Sequence, residues 1–274
     1  MHINLSILPI LRVLTIAAAV ATSLCASAKQ PSTPPFDIDT IKAETTDPAS
    51  PRYYPTLVKR FLEPDTSMTR DDYRYFYYGT MFAEDYNPYR ANPFDKEVKA
   101  LENVYLKREN LTSSERRQIE ALAKKCLQDN PLELRQLMYL VYVYESSKKY
   151  NLAKIWKSKL NNLLLPIAQS GTGADAEHAR IVVYPRHEFD FFNLSGLSVT
   201  AQEFVEPYYE KVTVTTGKKN AKESEHYFNL RYLLDQYYAK HPTEAGGGSD
   251  DGNTEEVSDP TEKLSELLGC YDNM

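Results

Sequence analysis

The residues best equipped for chemistry cluster at Arg186, His187, Glu188 and Asp190, with His178 and His226 on neighbouring segments. Histidine titrates near neutral pH and ligates zinc through a neutral ring nitrogen, while a carboxylate can complete such a site or move a proton. Adjacent strands run about 4.8 Å apart, so His178 or His226 could approach His187 and share a Zn²⁺ with a carboxylate. On that reading His187 and Glu188 are the candidate catalytic residues of a metal-dependent hydrolase, and His178, His187 and His226 its candidate metal ligands. The spacing opposes it. His187 and Glu188 are adjacent and would diverge on a strand, whereas a metalloprotease helix sets two histidines four apart around a Glu. A structural histidine, hydrogen-bonded at a turn, accounts for the same residues.

Two further motifs fail on their context. Ser170-Gly171-Thr172-Gly173 follows a helical pattern and precedes a strand, the reverse of the order that aims amides at phosphate, so it reads as a helix end and tight turn. Ser195-Gly196 lacks the preceding Gly of a nucleophile elbow. No cofactor is implied.

The elements that would position these residues change period midway. From Tyr53 to Ser170 the pattern is helical. Thr69 with Asp72, and Thr112 with Glu115, are capping boxes ahead of apolar stripes. Asn92 caps a helix with Pro93 in its first turn, and Asn130-Pro131 divides two more. Counting Tyr54 to Leu62 first and Tyr150 to about Pro166 last gives six helices. Leu134 to Leu160 resembles a tetratricopeptide pair, with Leu137, Leu140, Tyr144, Tyr150 and Ala153 at packing positions. Val141 and Lys148 depart from that motif's small residues. Gly79, costing about 1 kcal/mol in a helix relative to Ala, marks a close helix crossing. After Gly173, Ala179 to Tyr184 is β-branched, Leu197 to Val205 and Tyr209 to Thr216 alternate, and a strand falls near His226 to Leu230. Phe189, Phe191 and Phe192 suit a short helix or turn covering this sheet. Arg231 to Lys240 closes the domain.

Residues 1–28 read as a signal peptide: Arg12 ends a basic region, Val13 to Cys25 is uncharged and apolar, and Ala26-Ser27-Ala28 suits a signal peptidase. Leu24 before Cys25 argues against a lipid anchor. The expected location is therefore the periplasm or the cell exterior, after cleavage near Ala28, with no stable membrane insertion of the mature chain. The net charge of −6 lies in the tail, where residues 241–274 hold nine acids and one Lys. A nearly neutral body makes nucleic acid an improbable partner. Cys126, on an apolar helix face, reads as a buried thiol, and no disulfide framework is expected. The 21 tyrosines beside 10 Phe and a single Trp suit half-wet helix interfaces or an aromatic binding surface.

Tyr54-Pro55, Arg60-Phe61-Leu62, Asp65-Thr66, Tyr77-Tyr78-Gly79 and Tyr86-Asn87-Pro88-Tyr89, with His187-Glu188-Phe189, Asn193-Leu194, Gly196-Leu197 and Tyr227-Phe228-Asn229, carry a resemblance over most of residues 53–240. Across them the chain resembles DUF4919, a domain-of-unknown-function family of exported bacterial proteins. The resemblance implies architecture and location and no activity. Two departures stand out: Thr172 occupies a position where the family suggests an acid, and the acidic tail has no family counterpart.

The expected class is α+β: tetratricopeptide-like antiparallel helix pairs, then a small antiparallel β-sheet and a final helix. The expected organisation is a signal peptide at 1–28, a flexible segment at 29–50, one domain at 51–240 (helical over 51–170, sheet over 171–240) and a flexible acidic tail at 241–274. The expected function is non-enzymatic interaction or scaffolding, with a peptide or envelope protein held in a helical groove by residues that include Arg186, His187, Asp190 and Tyr144. The hydrolase and a glycan-binding protein are the alternatives.

Overall fold

The computed structural model describes residues 37–64, 66–105, 111–218 and 221–242. The expected signal peptide at 1–28 and nearly all of the acidic tail lie outside the described residues. What is described is α+β, with nine α-helices, a four-stranded mixed sheet and a helix at its C-terminal end. The helices are α1 (Ile38–Thr46), α2 (Tyr54–Leu62), α3 (Arg70–Gly79), α4 (Asp95–Tyr105), α5 (Ser113–Asp129), α6 (Leu134–Ser146), α7 (Tyr150–Ser170), α8 (Arg186–Leu194) and α9 (Arg231–Lys240).

Capping chemistry starts α3 and α5 where the sequence places it. Thr69 Oγ1 accepts from the Asp72 amide at 3.1 Å while Asp72 accepts from the Thr69 amide at 2.9 Å. Thr112 and Glu115 repeat the exchange. Each box satisfies two amides that a helix start leaves without partners. Helix α6 is buried almost all round, because it packs between α5 and α7 and also meets α8. Leu137, Leu140, Tyr144 and Ala153 are buried as the repeat pattern requires. Tyr150 is not: it is 64% exposed beside Lys148, whose φ of 59° turns the chain between α6 and α7.

Three expectations need correction. The segment 29–50 is not flexible throughout, since α1 occupies Ile38–Thr46. Asp37 caps it by accepting from the Asp39 and Thr40 amides, and Ile41 and Thr45, one turn apart, are buried against α3. The sheet is not purely antiparallel. Its order is β1-β4-β3-β2, where β1 (Arg180–Ile181) runs parallel to β4 (Ser224–Asn229), and β3 (Tyr209–Thr215) is antiparallel to both β4 and β2 (Ser198–Val205). The glycine turn sets that direction: the Gly173 carbonyl accepts from the Tyr227 amide at 2.9 Å and Ser170 Oγ from the Ile181 amide at 2.8 Å, which lays the chain along β4. Finally, Arg186 to Leu194 is a nine-residue helix starting after Pro185, so His187 and Glu188 stand on a helix and not a strand.

Helix α8 lies between the helical layer and the sheet, contacting α6 on one side and β2 on the other. Phe191 and Phe192 of α8 pack edge-on against Phe228 of β4. Every candidate residue at 186–190 therefore sits on the seam of the domain.

Candidate functional site

The buried seam is built outward from His187, which has no exposed surface. Its Nε2 lies 3.0 Å from the Leu132 carbonyl oxygen, which can only accept, so Nε2 carries the proton. Its Nδ1 then accepts from the Tyr77 hydroxyl at 2.8 Å. Burial, with the Arg186 charge nearby, holds this imidazole well below its usual pKa, so it is neutral at pH 7. With Nε2 donated and Nδ1 occupied, the ring has no lone pair left for a metal.

The other polar residues of α8 are anchored as firmly. Asp190 accepts from Arg135 Nε at 2.7 Å, and Arg186 Nη2 pairs with Glu133 at 3.0 Å. The guanidinium of Arg186 also lies over the Tyr184 ring. These two pairs and the His187 to Leu132 bond tie α8 to the start of α6 and the turn before it. Tyr144 is buried, and its hydroxyl donates to Glu120 at 2.9 Å.

The three histidines occupy separate environments. His178 is exposed and bonded to Asp175 at 2.8 Å, within its own turn. His226 on β4 stacks against Phe192, with Nε2 3.1 Å from Ser224 Oγ and Nδ1 3.4 Å from Arg180 Nη1. Burial and the Arg180 charge push its pKa down to about 4. Among the described residues no group of three or more His, Cys, Asp or Glu could hold a metal ion.

In the sequence Glu188 stands out, but Arg180, Lys159 and Glu210 do not. Arg180 is buried against the Phe191 ring, with no carboxylate paired to it among the described residues, and burial lowers its pKa to about 10. Gly173 exists to admit it: a Cβ there would stand 2.2 Å from Arg180 Nη1, and its φ is +70°. Lys159 is also buried, donating to the carbonyls of Phe61 and Glu63 at the end of α2. Glu188 and Glu210 are both fully buried and face each other across α8 and β3. The signal for Glu210 is legible afterwards: it shares a strand face with Val212 and Val214 at a spacing of two. Glu188 likewise lies three and four residues before Phe191 and Phe192.

The family model described as a domain of unknown function, DUF4919, matches residues 39–239. The chain belongs to this family. The DUF4919 match begins inside α1 and ends at the penultimate residue of α9, so the added first helix and the whole mixed sheet are parts of the unit. No curated protein and no solved structure matches the chain.

Proposed function

We propose that this DUF4919 protein is an exported, non-enzymatic interaction or scaffold protein that holds a peptide or an envelope protein in its helical groove. The observation that carries this reading is the division of labour between buried polar and accessible apolar residues. The side chains with chemical potential are internal: His187, Asp190 and Glu188 are buried inside the seam, where His187 is bonded to Tyr77 and Leu132 and Asp190 to Arg135. The partly accessible feature is apolar. Half-buried Val98, Leu101 and Leu122 line a shallow groove between α4, α5 and α6 together with the buried Ile119, Tyr139 and Tyr142, and Glu102 accepts from the Tyr139 hydroxyl. Such grooves take an extended or helical segment through a few apolar anchors. Among the described residues no helix is long and apolar enough to cross a membrane, which accords with a mature chain that reaches its partner in solution. The glycan alternative draws no support from the tyrosines of α3 and α6, whose rings are in the core.

The test is a photoreactive residue placed at Leu122 in the full-length protein in its own cells, with the same residue at exposed Tyr150 as the control. A discrete adduct from the groove, weakened by Leu101→Glu and absent from the control, is the expected result. Equal labelling from both positions would refute the groove.

A further inference from the structure

Two acids facing each other in a dry interior pose a problem the seam does not otherwise solve. Glu188 and Glu210 are buried at 0% exposure, and neither is neutralised by an Arg, Lys or His. Among the described residues both Glu188 oxygens and Glu210 Oε2 have no donor, while Glu210 Oε1 accepts from Gln202 Nε2 of β2. Two carboxylates in contact cannot both ionise without solvent or a cation. If one keeps its proton, the deficit closes: Glu188 donates its O–H to Glu210, which accepts from Glu188 and from Gln202.

We propose that Glu188 and Glu210 form a proton-sharing latch that fastens α8 to the inner face of β3 and loosens when the proton leaves. The phenols of Tyr77 on α3 and of Tyr89 in the segment before α4 lie within electrostatic reach of the pair, and the Gln202 amide donates to it. Burial raises both phenols above their ordinary value, so neither ionises before the latch does. Arg186 and Asp190, on the same helix, are engaged with Glu133 and Arg135. On β3, Lys211 points to the opposite face and pairs with Glu203 and Glu225. Burial and the neighbouring acid raise Glu188 well above the carboxylate range, and burial pushes Glu210 up to about 7.

The sign of the effect follows. The folded pair holds a proton that unfolded glutamates have already released above about pH 4.5, so stability is full below that value and falls as pH rises. The latch acts on the fold itself and does not depend on what the groove binds.

Infrared difference spectroscopy of the full chain at pH 7 tests the proton directly. A neutral carboxylic-acid carbonyl stretch is expected in the wild type and should weaken in Glu188→Gln, whose amide still donates to Glu210, an acid whose pKa its own burial holds at about 7. Absence of that stretch from the wild type would overturn the latch. Thermal midpoints between about pH 7.5 and 8.5, above the range in which unfolded histidines titrate, give the second readout. The wild type should lose about 3–5 °C per pH unit, and Glu188→Gln should flatten that slope, whereas Glu210→Gln leaves a buried Glu188 that keeps it. Equal slopes in the wild type and Glu188→Gln would overturn it as well.

Discussion

Gly79→Ala is the sharpest test of how α1 docks. Gly79 ends α3, and a Cβ built there stands 2.6 Å from Thr45 Cγ2 and 3.1 Å from Thr45 Cβ on α1. Thr45 cannot rotate away freely, because its hydroxyl donates to the Ile41 carbonyl at 2.7 Å inside the packed helix. Two terms compete. Ala in place of Gly gains up to about 1 kcal/mol of helix propensity, and less at a helix end. Forcing a methyl into a filled contact costs about 1–3 kcal/mol. The clash wins, leaving a net loss of about 1 kcal/mol, read as a fall of about 2–4 °C in the thermal midpoint of a domain this size. Thr45→Ser removes the clashing methyl and keeps the hydroxyl, so Gly79→Ala in that background should be neutral or slightly stabilising. The double-mutant cycle should therefore show a coupling of about 1–2 kcal/mol. If Gly79→Ala raised the midpoint equally with and without Thr45→Ser, α1 would not cross α3 at this point.

Trp156 is 7% exposed on α7, so Trp156→Ala should cost about 3–5 kcal/mol in denaturant titration, and an unchanged midpoint would contradict its packing. Asp190→Ala strands Arg135, and because that arginine is partly exposed the expected loss is about 2 kcal/mol, below the range for a fully buried pair; a loss under about 0.5 kcal/mol would show that α8 is held by its phenylalanines alone. On the acid side the histidines act with the opposite sign to the glutamates. His187 and His226 have folded pKa values below the unfolded one, so the stability they carry is present above about pH 6.5 and is lost as pH falls through that value towards about 4. Arg180→Gln should accordingly move the His226 titration, followed by NMR, upwards from about 4 towards the ordinary histidine range, whereas an unmoved titration would mean that burial alone sets it. Elemental analysis of protein purified without a metal-affinity tag separates the hydrolase reading: stoichiometric zinc would support it against the bonding seen at His187.

Much of the fold is local and therefore legible in the residue order. Capping boxes at Thr69 and Thr112 need only residues three apart, the β3 alternation needs a period of two, and the Cys126 and Trp156 positions follow from helical spacing. Gly79 announces a crossing in the same way, but its partner does not announce itself. Thr45 lies in a polar stretch whose helix survives because tertiary contact buries two of its residues. Likewise, a two-residue strand such as β1 has too little pattern to read, and its parallel pairing is decided by Gly173 and Ser170 bonding to distant segments.

The candidate site divides along the same line. The sequence by itself determined that Arg186, His187, Glu188 and Asp190 fall within one segment of five residues. Only the tertiary structure decided their partners, because Tyr77 lies 110 residues from His187 and Arg135 lies 55 from Asp190. A hydrogen bond between such groups costs nothing in local geometry and leaves no periodic trace in the chain. Burial then settles their chemistry: desolvation makes His187 neutral and Glu188 an acid that keeps its proton, states that no reading of residue types alone can assign.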